Sequence, residues 1–127
     1  MAPLILLDTH VVVWLYLGRA DLLSGAARRL VEVEELAMSP VTALELEYLF
    51  EIERLTVPAQ VVVHSLAREI DLRTAAAALG DVVEAARRIA WTRDPFDRLI
   101  VGHASHAAAP LVSRDEAIRD NYPLAVW

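Results

Sequence analysis

Apolar and polar positions fall in blocks along this chain rather than alternating singly. Residues 4–7 form a continuous apolar run ending at Asp8, the pattern of a short strand buried on both faces. Residues 11–17 read as a helix apolar nearly all round, either fully buried or part of an interface, and Gly18 ends it. Ser24 is placed to cap a helix through about Glu34, and a second strand is predicted over 36–38. Pro40 starts a long helix to about Arg54, with Leu44, Tyr48, Ile52 and Leu55 spaced to line one face. Thr56-Val57-Pro58 opens a helix to about Arg68, and residues 69–72 form a short strand candidate. Thr74 is expected to cap an Ala-rich helix ended near Gly80, and Asp81 another over 82–90. Asp94-Pro95 opens a helix through about Ala108, with Leu99, Ile100 and His103 or Ala104 facing in. A strand over 111–113, a short helix over 116–120 and an edge strand over 124–127 complete the pattern. Strands alternating with helices predict right-handed crossovers and an α/β fold. The expected form is one domain over 1–127, three layers deep (α/β/α), around a mainly parallel sheet.

The acids carry the chemical signal. Asp8 ends the first apolar run, Glu45 follows the second strand, Asp115 follows the strand at 111–113, and Asp97 opens a helix. Ligands of an open α/β sheet bind beyond the carboxyl ends of its strands, so acids repeatedly placed there predict one shared pocket. Clustered carboxylates repel one another unless some are protonated or a divalent cation neutralises them. Each acid also has a plain structural reading. Asp8 suits an N-cap, Thr42-x-x-Glu45 and Ser113-x-x-Glu116 are capping boxes, and Asp94-Pro95-Phe96-Asp97 is a good helix start. Capping nevertheless needs neither Asp97, beside Asp94, nor Asp115, beside the Ser113 box. These surplus acids favour an Mg²⁺ or Mn²⁺ site that polarises a phosphodiester and activates a water. Thr9, Ser39 and Ser113 then read as hydroxyl donors orienting carboxylates or waters, since no covalent nucleophile is evident.

Composition narrows the alternatives. Net charge is −6, against nucleic-acid binding at first sight, yet Arg87, Arg88, Arg93, Arg98, Arg114 and Arg119 gather in the last third among four acids. With metal bound, that region becomes more positive and able to accept a phosphate backbone. The absence of Cys excludes disulfides, Cys-type zinc sites and thiol nucleophiles, and suits a cytoplasmic location. The apolar start lacks a basic leader and is cut by Asp8, and no run approaches the roughly 18 residues of a membrane span. His10, His64, His103 and His106 show no zinc-ligand spacing, and Trp14, Trp91 and Trp127 read as core or interface residues.

The segments Leu6-Leu7-Asp8-Thr9-His10, Ser39-Pro40-Val41-Thr42-Ala43-Leu44-Glu45, Arg93-Asp94-Pro95-Phe96-Asp97-Arg98 and Leu111-Val112-Ser113-Arg114-Asp115 resemble, in order, the motifs of the PIN-domain family. The likeness is to its VapC-type toxins of bacterial toxin–antitoxin pairs. It implies that Asp8, Glu45, Asp97 and Asp115 bind the metal, that Thr9 and Ser113 assist, and that Asp94 is a helix cap or nearby acid. It also implies an Mg²⁺- or Mn²⁺-dependent endoribonuclease acting on RNA such as tRNA or rRNA, a homodimer, and a cognate antitoxin as partner. Thr92 and His103 stand where such relatives usually carry His and Gln. A response-regulator receiver would need a late Lys, and this chain has none; a haloacid-dehalogenase-like site would need an Asp where His10 stands. The remaining rival is a catalytically silent PIN module that binds protein or RNA.

Overall fold

The computed structural model describes residues 4–127. Five short strands, β1 (Ile5–Leu7), β2 (Leu36–Met38), β3 (Arg73–Thr74), β4 (Leu111–Val112) and β5 (Ala125–Val126), form one sheet in the order β3-β2-β1-β4-β5. Every neighbouring pair is parallel, with Ile5 beside Leu36 and Leu6 beside Leu111. Among the described residues, seven α-helices connect and flank the strands: α1 (Thr9–Tyr16), α2 (Gly25–Val33), α3 (Pro40–Glu51), α4 (Ala59–Ile70), α5 (Leu79–Arg87), α6 (Pro95–His106) and α7 (Glu116–Asn121).

The strand pleat sorts the core into two layers. Ile5 and Leu7 of β1 and Leu36 and Met38 of β2 face one layer, with Val11 and Val12 of α1, Leu46 of α3, and Val62 and Leu66 of α4. Leu6, Ala37 and Leu111 face the other, with Ile100, Val101 and Ala104 of α6 and Ile118 of α7. Both faces are therefore covered, which explains why β1 reads as an unbroken apolar run. The α/β/α expectation holds.

Several local expectations need correction. α4 runs on to Ile70, where Asp71 takes a left-handed conformation (φ 54°), so 69–72 is no strand and β3 follows at Arg73–Thr74. Thr74 lies in that strand, and Ala75 to Ala78 form no helix. A single helix, α5, begins at Leu79 and passes through Gly80 and Asp81, so neither marks a boundary. Leu44, Tyr48 and Ile52 share a face, but it points outward (63%, 47% and 44% exposed), whereas Thr42 and Leu46 face in and Leu55 is buried. Spacing revealed the stripe, not its side. Trp14, Leu15 and Tyr16 of α1 pack part-buried on the core, so its all-round apolar character is largely spent inside.

α5 and α6 cross closely because Gly102 has no side chain. A Cβ built there lies 2.9 Å from the Ala86 amide nitrogen and 3.0 Å from the Val82 carbonyl oxygen, both backbone. Gly102→Ala must push the helices apart, at about 1–3 kcal/mol for overpacking, more than the roughly 1 kcal/mol that Ala gains in a helix. Thermal melts of this variant are therefore expected to show a lower Tm than wild type, whereas Gly25→Ala, where a Cβ meets nothing, leaves Tm within a degree or two of wild type or raises it.

Candidate active site

The sheet order places the chain's direction switch between β1 and β4. From β1 the chain winds through β2 to β3, then returns to β4 on the other side of β1. Crevices open at the carboxyl ends of strands at such a switch. Asp8 leaves β1 there, and Ser113 leaves β4 beside it. The Asp8 amide donates to the Val112 carbonyl (3.0 Å) and the Ser113 hydroxyl donates to Asp8 Oδ2 (2.7 Å), across a sequence separation of 105 residues.

Asp8 is 4% exposed and caps α1, its Oδ1 accepting from the Thr9 amide (2.9 Å). The Thr9 hydroxyl donates to Glu45 Oε1 at 2.5 Å, with Thr42 Oγ1 3.4 Å away. Thr42 is thus a buried neighbour of the site; Ser39 caps α3, accepting from the Val41 amide (3.2 Å). The expected Thr42–Glu45 capping box gives way to this arrangement. Ser39 Oγ also meets His103 Nδ1 (2.9 Å) and bonds none of the four acids; His103, facing in as expected, is a buried brace between α6 and α3.

Arg93 to Arg98 is compact machinery. Asp94 caps α6, its Oδ1 accepting from the Phe96 and Asp97 amides (2.8 and 3.2 Å), and Pro95 opens the helix. Phe96 stacks tilted on Tyr48 of α3, with ring centroids 5.8 Å apart. Arg98 reaches back to the Ala86 carbonyl (3.3 Å) at the end of α5. Asp97, in the first turn, is the acid left to face the crevice. At the start of α7, Asp115 rather than a Ser113–Glu116 box forms the cap: its Oδ1 accepts from the Ile118 amide (2.9 Å), while Ser113 Oγ accepts from the Asp115 amide (3.1 Å). The hydroxyl of Ser113 therefore links Asp8 to Asp115.

Asp8, Glu45, Asp97 and Asp115 line one cleft of about 280 Å³, together with Thr9, His10, Trp14 and Arg54. Their fields meet at Asp97, whose carboxyl is pushed up to about 7, first by burial and then by Asp94, Asp8, Asp115 and Glu45. Burial also raises Glu45, with Asp8 and Asp94 adding to it and the Thr9 hydrogen bond opposing. Among the described residues, no Arg forms an ion pair with any of the four acids, and His10 stands beside Asp8 (Nδ1 to Oδ2, 3.5 Å). His10 Nε2 accepts from the Arg114 amide (2.9 Å), which leaves the Nδ1 proton facing Asp8. Burial holds the His10 pKa below its ordinary value, against the pull of Asp8 and Asp115.

The donor set fits a hard cation: carboxylate oxygens, no thiolate, and an excess of negative charge. The cage is open, since among the described residues no three His, Asp or Glu side chains stand close enough to hold an ion directly. Such spacing suits Mg²⁺, which keeps several waters and needs only one or two direct carboxylates. His10, Trp14 and Arg54 escaped the sequence reading. His10 was signalled only by following Asp8 closely; Arg54 is delivered by a turn after α3, with Glu53 left-handed (φ 63°) and the Arg54 amide donating to the Leu49 carbonyl (2.8 Å).

A sequence profile of the PIN domain matches residues 5–122. Ribonuclease VapC22 of Mycobacterium tuberculosis is 31% identical, over 97% of this chain and 98% of its own. Among solved structures, a toxin–antitoxin complex from Klebsiella pneumoniae aligns with a TM-score of 0.68 at 19% identity, over 97% of this chain and 96% of that one. VapBC2 from Rickettsia felis, bound to a DNA fragment from its promoter, aligns with a TM-score of 0.61 at 16% identity, over 98% and 97%. These two likenesses match the fold, and with the profile and the ribonuclease they establish that this chain belongs to the PIN domain family, among its VapC-type members.

Proposed function

We propose that residues 1–127 act as one PIN unit, an Mg²⁺- or Mn²⁺-dependent endoribonuclease of the VapC type that hydrolyses phosphodiesters in RNA such as tRNA or rRNA. The observation that carries this reading is the meeting of four carboxylates, from segments far apart in sequence, in one cleft at the carboxyl edge of the sheet. Asp8, Glu45, Asp97 and Asp115 would hold the cation, which when bound polarises the phosphodiester and lowers the pKa of an attacking water. Ser113 and the Thr9 amide fix both oxygens of Asp8, and the Thr9 hydroxyl turns Glu45 into the cleft. Asp94 holds the first turn of α6 so that Asp97 faces inward. Arg54, exposed on the cleft rim, is placed to meet a backbone phosphate.

Among the described residues no helix is long and apolar enough to cross a membrane, and a cytoplasmic location accords with RNA as substrate. A homodimer is part of the same reading. The outward Leu44 and Tyr48 of α3, continued by Phe96, offer a second copy more apolar surface than α1 does, whose large apolar side chains are at least partly covered up to Leu17, just past its end. A cognate antitoxin would send Arg or Lys into the acid cleft and lay an apolar helix beside α3. Glu51, at the end of α3, and Glu53, just beyond it, are exposed and would steer such a basic partner. Glu47 is engaged instead, accepting from the Ala59 amide (3.0 Å) at the start of α4.

Two outcomes test the site. Asp97→Asn is expected to lower Mg²⁺-dependent RNA cleavage at least about a hundred-fold while raising the Tm of the metal-free protein, because it removes a repelled charge. A metal-titrated cleavage assay beside thermal melts measures both, and full wild-type cleavage in EDTA would exclude the metal mechanism.

The second concerns pH. Asp97 keeps its proton to about 7 in the fold but loses it near 3.8 when unfolded, so the native state binds more protons between those values. The contribution of Asp97 to the stability of the metal-free protein therefore falls as pH rises from about 4 to about 7. In melts at pH 5 and 7.5 in EDTA, the wild-type Tm should drop further on going to pH 7.5 than that of Asp97→Asn does. An equal difference in the two proteins would remove Asp97 as its source.

A further inference from the structure

Beside the acid cleft lies a second one, of about 270 Å³, lined by His10, Trp14, Arg114 and Asp115. His10, Trp14 and Asp115 line both clefts, so the two form one continuous trough with the carboxylates at one end. The walls of the second cleft are planar groups. The Trp14 indole is held by His10 edge-on (centroids 5.0 Å apart) and by Trp127 (6.0 Å), so its orientation is fixed by packing. The Arg114 guanidinium stands over the Trp14 ring at 6.0 Å. A planar base sandwiched between two surfaces needs about 7 Å, two optimal contacts of about 3.5 Å each. Arg114 is exposed and makes no ion pair among the described residues, so its guanidinium can swing outward the remaining ångström. Its backbone meanwhile stays anchored by the hydrogen bond that its amide donates to His10 Nε2.

We propose that this trough is a nucleotide subsite: one nucleobase of a single-stranded RNA, neighbouring the phosphodiester at the carboxylates, stacks on the Trp14 indole beneath Arg114. The proposal rests on the nuclease reading above. Base–aromatic stacking with an arginine cover tolerates any base, because every base presents a π-face. The subsite therefore sets where the strand lies and that it is unpaired, not which letter it carries. A base still paired in a duplex cannot enter the slot, so cleavage falls in loops, bulges and single strands.

The test uses the full chain and short single-stranded RNAs in which one nucleotide at a time around the cut is made abasic or replaced by 2-aminopurine. For wild type, one position adjacent to the cut is expected to lose about 5- to 100-fold in kcat/KM when its base is removed. With Ca²⁺ in place of Mg²⁺, 2-aminopurine at that position should lose fluorescence on binding. Trp14→Leu should be nearly indifferent to that missing base, Trp14→Phe should keep part of the penalty, and Arg114→Gln should reduce it. If Trp14→Leu fails to fold, the exposed Arg114→Gln carries the comparison. An abasic penalty and quenching unchanged in these variants would overturn the subsite while leaving the nuclease reading intact. Trp14-dependent quenching without metal-dependent cleavage would overturn the nuclease reading and retain the subsite.

Discussion

A carboxylate can be buried only if something answers its charge, and much of this structure serves to answer that of Asp8. Its two oxygens accept from the Thr9 amide and the Ser113 hydroxyl, and its amide is tied to β4. Charge-assisted hydrogen bonds of this kind hold an anion in place without neutralising it. The negative field therefore survives and is felt at Glu45 and Asp97. Short hydroxyl side chains do this work throughout: Ser113 joins Asp8 to Asp115, and Thr9 joins the end of β1 to α3.

The remaining architecture keeps that arrangement from relaxing. Repelling groups drift apart unless the elements carrying them are fixed, and α3, α6 and α7 are each fixed near the cleft. His103 pins α6 to Ser39 at the head of α3, Phe96 leans on Tyr48, and Gly102 seats α6 tightly against α5. The segment from Asp94 to Arg98 is dense in sequence because each side chain meets a separate demand: helix start, ring contact, cleft acid, and cap of a neighbouring helix. A motif of that kind owes its specificity to packing as much as to chemistry.

What the sequence disclosed followed from how strongly each signal is enforced. Doubly buried strands need continuous apolar runs, so β1 and β2 were legible, and with them the positions just beyond their ends. β3 is two exposed residues at a sheet edge and carries no periodic signal, so its Thr74 looks like a helix cap. Leu44, Tyr48 and Ile52 have helical spacing, yet the core chose the opposite face, where Thr42 lies against Thr9. Ser113 and Glu116 matched a capping box, but Ser113 was drawn to Asp8, and Asp115 took the cap. His10 and Trp14 reach the cleft on the helix that Asp8 starts, whereas Arg54 reaches it through tertiary placement that no local pattern encodes. Function thus showed where backbone geometry forces it, and stayed hidden where only the assembled surface creates it.

The bond between Ser113 and Asp8 spans 105 residues and closes the sheet across its central strand. Such non-local parallel pairings form late, because the chain must first lose the entropy of a long loop. A ribosome delivers residues in order, so Asp8 and Glu45 emerge well before Asp97, Ser113 and Asp115. The nascent chain holds only part of the cleft until Asp115 has been made. Completion of the cleft is in this way tied to the last of its acids to be made, by the winding order of the fold alone.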